Sequence, residues 1–305
     1  MTRISDIGLQ QILLNGFQRA QGSAQERQIQ LATGKVSTAY GGIGARTLEL
    51  LSAEGVLARA GAYDGAAKTA LARLQMQETG MTSVADAVSL MRERMVQALA
   101  TGSAELLLPE IETAAQRVIM GLNTQIGGVY VFGGTDGAAP PLEASGLADF
   151  GAAANTDDLF LQAERSRLPV EEGVSVDGGA TALEVGGALA AELKELANAE
   201  AALGPFSGEL TAAQRDFLID KIARLDEIAA DLYQELGLNG VAQGQAEDAR
   251  TRNIQRRDLA EIVASDIEDA DIAEVVARLN QDRLAVEASA RALAQATELS
   301  LLNYI

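Results

Sequence analysis

The chain has 305 residues and a formal net charge of −19, and it contains neither Cys nor His. Those absences exclude a disulfide framework, thiolate catalysis, Cys/His zinc sites and imidazole acid–base chemistry. The acidity argues against partners such as nucleic acid or an anionic membrane, since both require clustered Lys and Arg.

Hydrophobic residues make up 48% of the chain but aromatics only 4%. The apolar share is mostly Ala and Leu, which suits narrow helix–helix seams better than broad cores, so the expected fold class is mainly α. Residues 4–31 predict a first helix with no Pro. Ile7, Leu14, Phe17, Ala24 and Leu31 fall on an a/d seam. Gln21 and Gln28 take the alternate a positions, where a polar group lowers stability but fixes register or partner.

Residues 34–44, GKVSTAYGGIG, break that helix. They do not form a nucleotide loop. A P-loop needs Gly where Ile29 stands, and G-x-G-x-x-G fails at Thr47. No other cofactor pattern is present, and no cofactor is expected. Residues 46–100 predict a long helix with Leu50, Leu57, Leu74, Met81, Val84, Val88, Met91 and Met95 on its apolar face. Its methionines read as packing, because no other soft metal ligand accompanies them. After a turn at Gly102, Pro109 suits the first turn of a further helix, expected to run through Ile126.

At Gly127 the texture changes. GGVYVFGGTDGAAPPLE, residues 127–143, opens with a β-branched and aromatic run and continues into Gly and Pro punctuation. Short strand-like pieces follow at 159–161, 168–170 and 174–176, giving a small β-containing insertion. Residues 133–250 hold 22 acidic against 7 basic residues, so the acidity sits in the middle of the chain. The pairs Asp157-Asp158 and Glu171-Glu172 lack supporting ligand spacing and read as solvated loop charge. If the insertion is only a surface tip, residues 146–182 are removable without loss of assembly.

Helix is expected again over 188–202, broken at Gly204-Pro205. Thr211 with Gln214 makes a capping box for the next helix, which dips at 237–240. The last 41 residues, from Ser265, are uninterrupted by Gly or Pro. Ser265 and Glu268 stand at capping-box spacing, and Ile272, Leu279, Val286 and Leu293 recur every seven residues, with Val276 beside them. A seam of about 30 residues needs a partner helix in water. The order is a nested hairpin: a terminal coiled-coil pair (1–34 with 265–305), a linker (35–45), an inner helical bundle (46–132 with 205–264) and a β-containing tip (133–204).

This order resembles the bacterial flagellin superfamily, and four segments carry the resemblance. RQIQLATGKVS, residues 27–37, is similar to the family's L-[SA]-[ST]-G-[KL] segment at the end of the first helix. SDIEDADIAE, residues 265–274, is similar to S-x-I-E-D-x-D-x-A-x-E. The end, SLLNYI, resembles the family's S-L-L with an apolar tail. The central GGVYVFGGTDGAAPPLE resembles a segment of the hook-filament junction branch, the flagellin-like hook-associated proteins, which ordinary flagellins lack at this place. One departure stands out. Many members continue T-G-K with N-x-x-D-D-P, whereas STAYGGIG here has no acidic pair.

The resemblance implies nested antiparallel long helices and a structural adaptor without catalysis, exported by the flagellar type III route to the outside of the cell. It implies a ring of copies as partners, together with the preceding hook-associated protein, flagellin and an export chaperone. Assembly would run through Ile7, Leu14, Phe17 and Leu31 of the first helix and Ile272, Val276, Leu279, Val286, Leu293, Leu299 and Leu302 of the last. Three alternatives stay open: a flagellin subunit of the filament, a hydrolase using the insertion's carboxylates, and a cytoplasmic coiled-coil scaffold.

Overall fold

The computed structural model describes residues 2–302, and side chains over 8–295. Its helices are α1 (Thr2–Thr33), α2 (Thr47–Thr101), α3 (Leu107–Leu122), α4 (Leu147–Ala152), α5 (Ala182–Ala197), α6 (Ala199–Leu203), α7 (Ala212–Glu268) and α8 (Ile272–Leu302). Two short hairpins, β1 (Gln125–Ile126) with β2 (Val129–Tyr130) and β3 (Arg167–Glu171) with β4 (Val174–Asp177), complete it. The mainly helical, nested class expected from the sequence is the one observed. The chain divides into two compact units, Met1–Arg59 with Arg256–Ile305, and Ala60–Gln255.

In the second unit, α2 and α7 run antiparallel. Three contacts fix the order: Asp64 with Arg250, Gln77 with Asn239, and Arg92 with Asp226. Each helix buries a stripe at heptad-like spacing, Met81, Val84, Val88, Met91 and Met95 on α2 and Leu218, Lys221, Leu225, Ile228 and Leu232 on α7. That spacing keeps one face toward a partner over many turns. The methionines are fully buried core residues, as read from the sequence.

Where α2 meets α3, Gly80 and Gly121 bring the backbones together. A Cβ on Gly80 would lie 2.6 Å from Cε2 of Phe132 and 2.7 Å from the carbonyl oxygen of Gly121. Phe132 is fully buried there. α3 ends at Leu122, four residues earlier than expected. Asn123 holds the chain out of the helix by donating to the carbonyl of Leu142 at 2.9 Å and accepting its N–H at 3.1 Å. Gln125 and Ile126 are thereby freed to pair with β2 across Gly127-Gly128, both at positive φ as a tight hairpin turn requires.

The acidic insertion packs into the same core. Leu147, Phe150 and Phe160 lie in one cluster with Met91, Ile111, Leu189 and Leu193. The expectation that residues 146–182 are removable is therefore corrected: deletion would strip Phe150 and Phe160 from the main core. Residues 159–161 are not a strand either. They are the end of a 3-10 turn (Thr156–Leu159) and a single bridge from Phe160 to Leu142. The strands read at 168–170 and 174–176 are β3 and β4, antiparallel with a bulge between Pro169 and Glu171.

Helix α5 starts six residues before the expected 188, because Thr181 and Glu184 form a complete capping box. The box read at Thr211 and Gln214 is present: Thr211 Oγ1 accepts from the Gln214 N–H, and Gln214 Oε1 accepts from the Thr211 N–H. The dip expected at 237–240 is absent, and α7 runs through it. Asn239, buried in that stretch, donates to Gln77 and accepts from Gln243 at 2.6 Å, so side-chain bonding holds the two helices where the glycines weaken propensity.

Candidate assembly interface

The first unit is built on the pairing of α1 with α8. Their direction is antiparallel, since Lys35 bridges Asp269 while Ser23, a dozen residues earlier, meets Asp282. The clasp at the foot of the pair joins two segments singled out in the sequence, 27–37 and 265–274. Lys35 Nζ lies 2.8 Å from Glu268 Oε2, the Val36 N–H donates to the Glu268 carbonyl at 2.6 Å, and the Ala270 N–H donates to the Gly34 carbonyl at 2.8 Å. Gly34, at φ +71°, turns the chain off the end of α1. The Glu268 carboxylate holds the Lys35 ammonium above its ordinary pKa. Two 3-10 turns, Tyr40–Gly42 and Gly44–Arg46, then carry the linker to α2.

This geometry corrects the reading of Ser265 and Glu268 as a helix start. α7 continues through both to Glu268, and the last helix begins at Ile272. Its cap is Asp271, whose Oδ1 accepts the N–H groups of Ala273 and Glu274 at 2.9 and 3.1 Å. Ser265 instead bonds Asp269, and Glu268 is committed to Lys35. Below the clasp, Leu50, Ala53, Ala264 and Ile267 form a small buried cluster, and Arg46 pairs with Asp266 at 2.9 Å.

Above the clasp, the inward positions of α1 are Leu13, Phe17, Ala20, Ala24 and Arg27, and those of α8 are Val275, Leu279, Asp282, Val286 and Ser289, followed by Leu293. Of the expected interface residues, the structure places Phe17, Leu279, Val286 and Leu293 in this seam. Four others face out: Leu14, Leu31, Ile272 and Val276 are exposed, Ile272 by 45%. Leu9, Ile12, Ile29 and Leu284 are exposed beside them. The side chains of Ile7, Leu299 and Leu302 lie outside the described residues. The heptad period is legible in the sequence, and Phe17 and Ala24 lie in the seam as expected, but the alternate positions are Leu13, Ala20 and Arg27, each one residue before the expected Leu14, Gln21 and Gln28.

The central YVFGG segment is held from beneath. Gln77, fully buried on α2, donates to the Val131 carbonyl at 2.6 Å and to the Ala180 carbonyl at 3.3 Å. Arg73 donates to the carbonyls of Val131 and Gly134 at 3.2 and 3.0 Å, and burial pushes its guanidinium down from the ordinary value. Sequence reading missed both residues. The available signal was two long polar side chains, Arg73 and Gln77, four apart beside the apolar stripe of α2.

The carboxylates of the insertion do not converge on a reaction centre. Asp157 and Asp158 are exposed on the 3-10 turn. Glu171, read as solvated, is buried instead and lies 2.8 Å from Arg252. Among the described residues, none group as three or more candidate metal ligands, and none of the helices is long and apolar enough to cross a membrane.

Residues 4–136 match the family model of the bacterial flagellin N-terminal helical region, and residues 222–305 match that of the bacterial flagellin C-terminal helical region. Comparison with curated proteins gives no match. Among solved structures, the fold is similar to that of a protein provisionally assigned as flagellar hook-associated, from Vibrio parahaemolyticus. The TM-score is 0.61 at 16% identity, covering 76% of this chain and 99% of that one.

Proposed function

The chain belongs to the bacterial flagellin family of structural, non-enzymatic flagellar proteins, and from that premise we propose that it is the adaptor joining hook to filament, assembled through its terminal helices. Proteins of this family self-assemble into flagellar polymers. The observation that carries the assembly reading is the outward apolar set on the α1–α8 pair. Leu14, Leu31, Ile272 and Val276 are exposed on helices whose own seam is already occupied. Such exposed, regularly placed side chains suit burial against neighbouring helices.

Two features favour the junction over the filament. The YVFGG segment resembles the hook-associated branch, and the similar solved structure carries a hook-associated name. In this reading residues 1–34 with 265–305 form the terminal layer, residues 46–132 with 205–264 the inner bundle, and residues 133–204 the β-containing insertion. The chain leaves the cell by the flagellar type III route with an export chaperone. Its neighbours are other copies of itself in a ring, the preceding hook-associated protein and the first flagellin subunits.

Gold-labelled antibody microscopy of isolated flagella tests the placement. The expected result is one narrow band between hook and filament. Label along the whole filament would instead assign a filament subunit, and label absent from flagella would remove both readings.

A further inference from the structure

Asp282 occupies an inward position of α8 between two apolar residues, Leu279 and Val286. A carboxylate on a helix–helix seam costs stability unless a donor meets it, and here Ser23 Oγ of α1 donates to Asp282 Oδ2 at 2.7 Å. Of the alternatives one heptad away, one leaves Asp282 without a side-chain partner, and the other, which would bring it within a turn of Arg27, requires the clasp to open. Sliding α8 in one direction brings Asp282 level with Gly16, which offers no side chain. Sliding it in the other brings Asp282 level with Gln30, whose amide already donates to the Val36 carbonyl at 2.8 Å and accepts from Arg27 at 2.7 Å. Around this contact the seam is weakly specified, with Ala20, Ala24 and Ser289 offering little shape to select one register over another.

We propose that the Ser23–Asp282 hydrogen bond holds the register of the terminal helix pair above the clasp, whose backbone bonds among Gly34, Val36, Glu268 and Ala270 set it at the foot. A polar seam position favours the alignment in which it keeps its partner, even though an apolar residue there would bind more tightly. Resting on the assembly reading above, the contact also sets which outward residues of the two helices stand level for a neighbouring copy. Asp282 and Ser23 are thus positioning residues for assembly rather than contacts with the neighbour.

The chain has no Cys, so paired cysteines report register without background. In full-length protein, Ala20→Cys with Val286→Cys marks the observed register. Ala20→Cys with Leu279→Cys, or with Leu293→Cys, marks slips of one heptad. Oxidative trapping is read before and after assembly. The observed pair is expected to cross-link at least about tenfold more than either slipped pair, the preference a charge-assisted hydrogen bond supplies. With Ser23→Ala or Asp282→Leu added, the preference is expected to narrow several-fold, and Asp282→Asn, which keeps the shape and an acceptor, to fall between.

An unchanged preference in Ser23→Ala and Asp282→Asn overturns the proposal, even if Asp282→Leu fails to fold. So does a lack of trapping at the observed pair in both states. Scattered register with normal incorporation into flagella would uphold the contact's role and remove the assembly reading instead.

Discussion

The ammonium of Lys35 lies 2.8 Å from the carboxylate of Glu268, joining a residue just past the first helix to the last residue of the helix before α8. Reversing one charge (Lys35→Glu) is expected to open the clasp, and adding Glu268→Lys to restore it. Hydrogen exchange at the Val36 and Ala270 N–H groups, both bonded across the clasp, reads the effect. Because Glu268 raises the Lys35 pKa, this contribution is fully present below the ordinary Lys range. It is lost only as pH rises through the raised folded value.

The inward and outward faces of the terminal pair are expected to separate by mutation. Leu279→Asp places a charge at a position only 4% exposed and is expected to unpair α1 from α8, with a cost on the order of 3 kcal/mol or more. Val276→Asp or Leu14→Asp, at exposed positions, is expected to leave helicity and melting within about 0.5 kcal/mol of the parent while preventing incorporation. Circular dichroism with an incorporation assay distinguishes the two classes. Normal incorporation of the outward variants would exclude these residues from the interface.

Phe132 and Gly80 form a matched pair in the second unit. Phe132→Ala is expected to cost about 3–5 kcal/mol in urea unfolding, since the cavity lies among fully buried side chains. Gly80→Ala, whose new methyl meets both the ring and the Gly121 carbonyl, is expected to cost about 1–3 kcal/mol. Combined, Gly80→Ala with Phe132→Leu should cost less than the sum of the single changes, because the smaller side chain releases the clash with the ring, while that with the Gly121 carbonyl remains.

Stability is expected to be flat near neutrality and to fall in acid. The Lys68 ammonium holds the buried Asp64 carboxyl below the usual range, against the opposing effect of burial and with help from Arg250. Burial also opposes ionisation of Glu184, but the Thr181 N–H and the Arg165 guanidinium outweigh it and keep this group low as well. A depressed carboxyl contributes stability above its unfolded pKa, near 4, and that contribution disappears as pH falls through the folded value. Melting temperature against pH should therefore drop below about pH 4. The drop should be shallower in Asp64→Asn, which has lost that contribution at every pH.

The helical class, the nested order and the existence of terminal seams are legible in the chain alone. These rest on local propensity and on apolar periodicity, and both are written along the chain. The sequence also locates the two segments that meet in the clasp, though not that they touch. The choice between equivalent local options depends on contacts made in the folded molecule. Thr211–Gln214 and Ser265–Glu268 carry the same capping pattern, yet only the first starts a helix, because Glu268 is taken by Lys35 and Asp271 caps in its place. The alternate positions of the α1 seam turned on whether Leu13 or Leu14 faces α8, a difference of one residue that periodicity leaves open. Gln77, Asn239 and Glu171 are polar by sequence and buried in the fold, for the same reason: their partners lie across the bundle, in residues no local window contains.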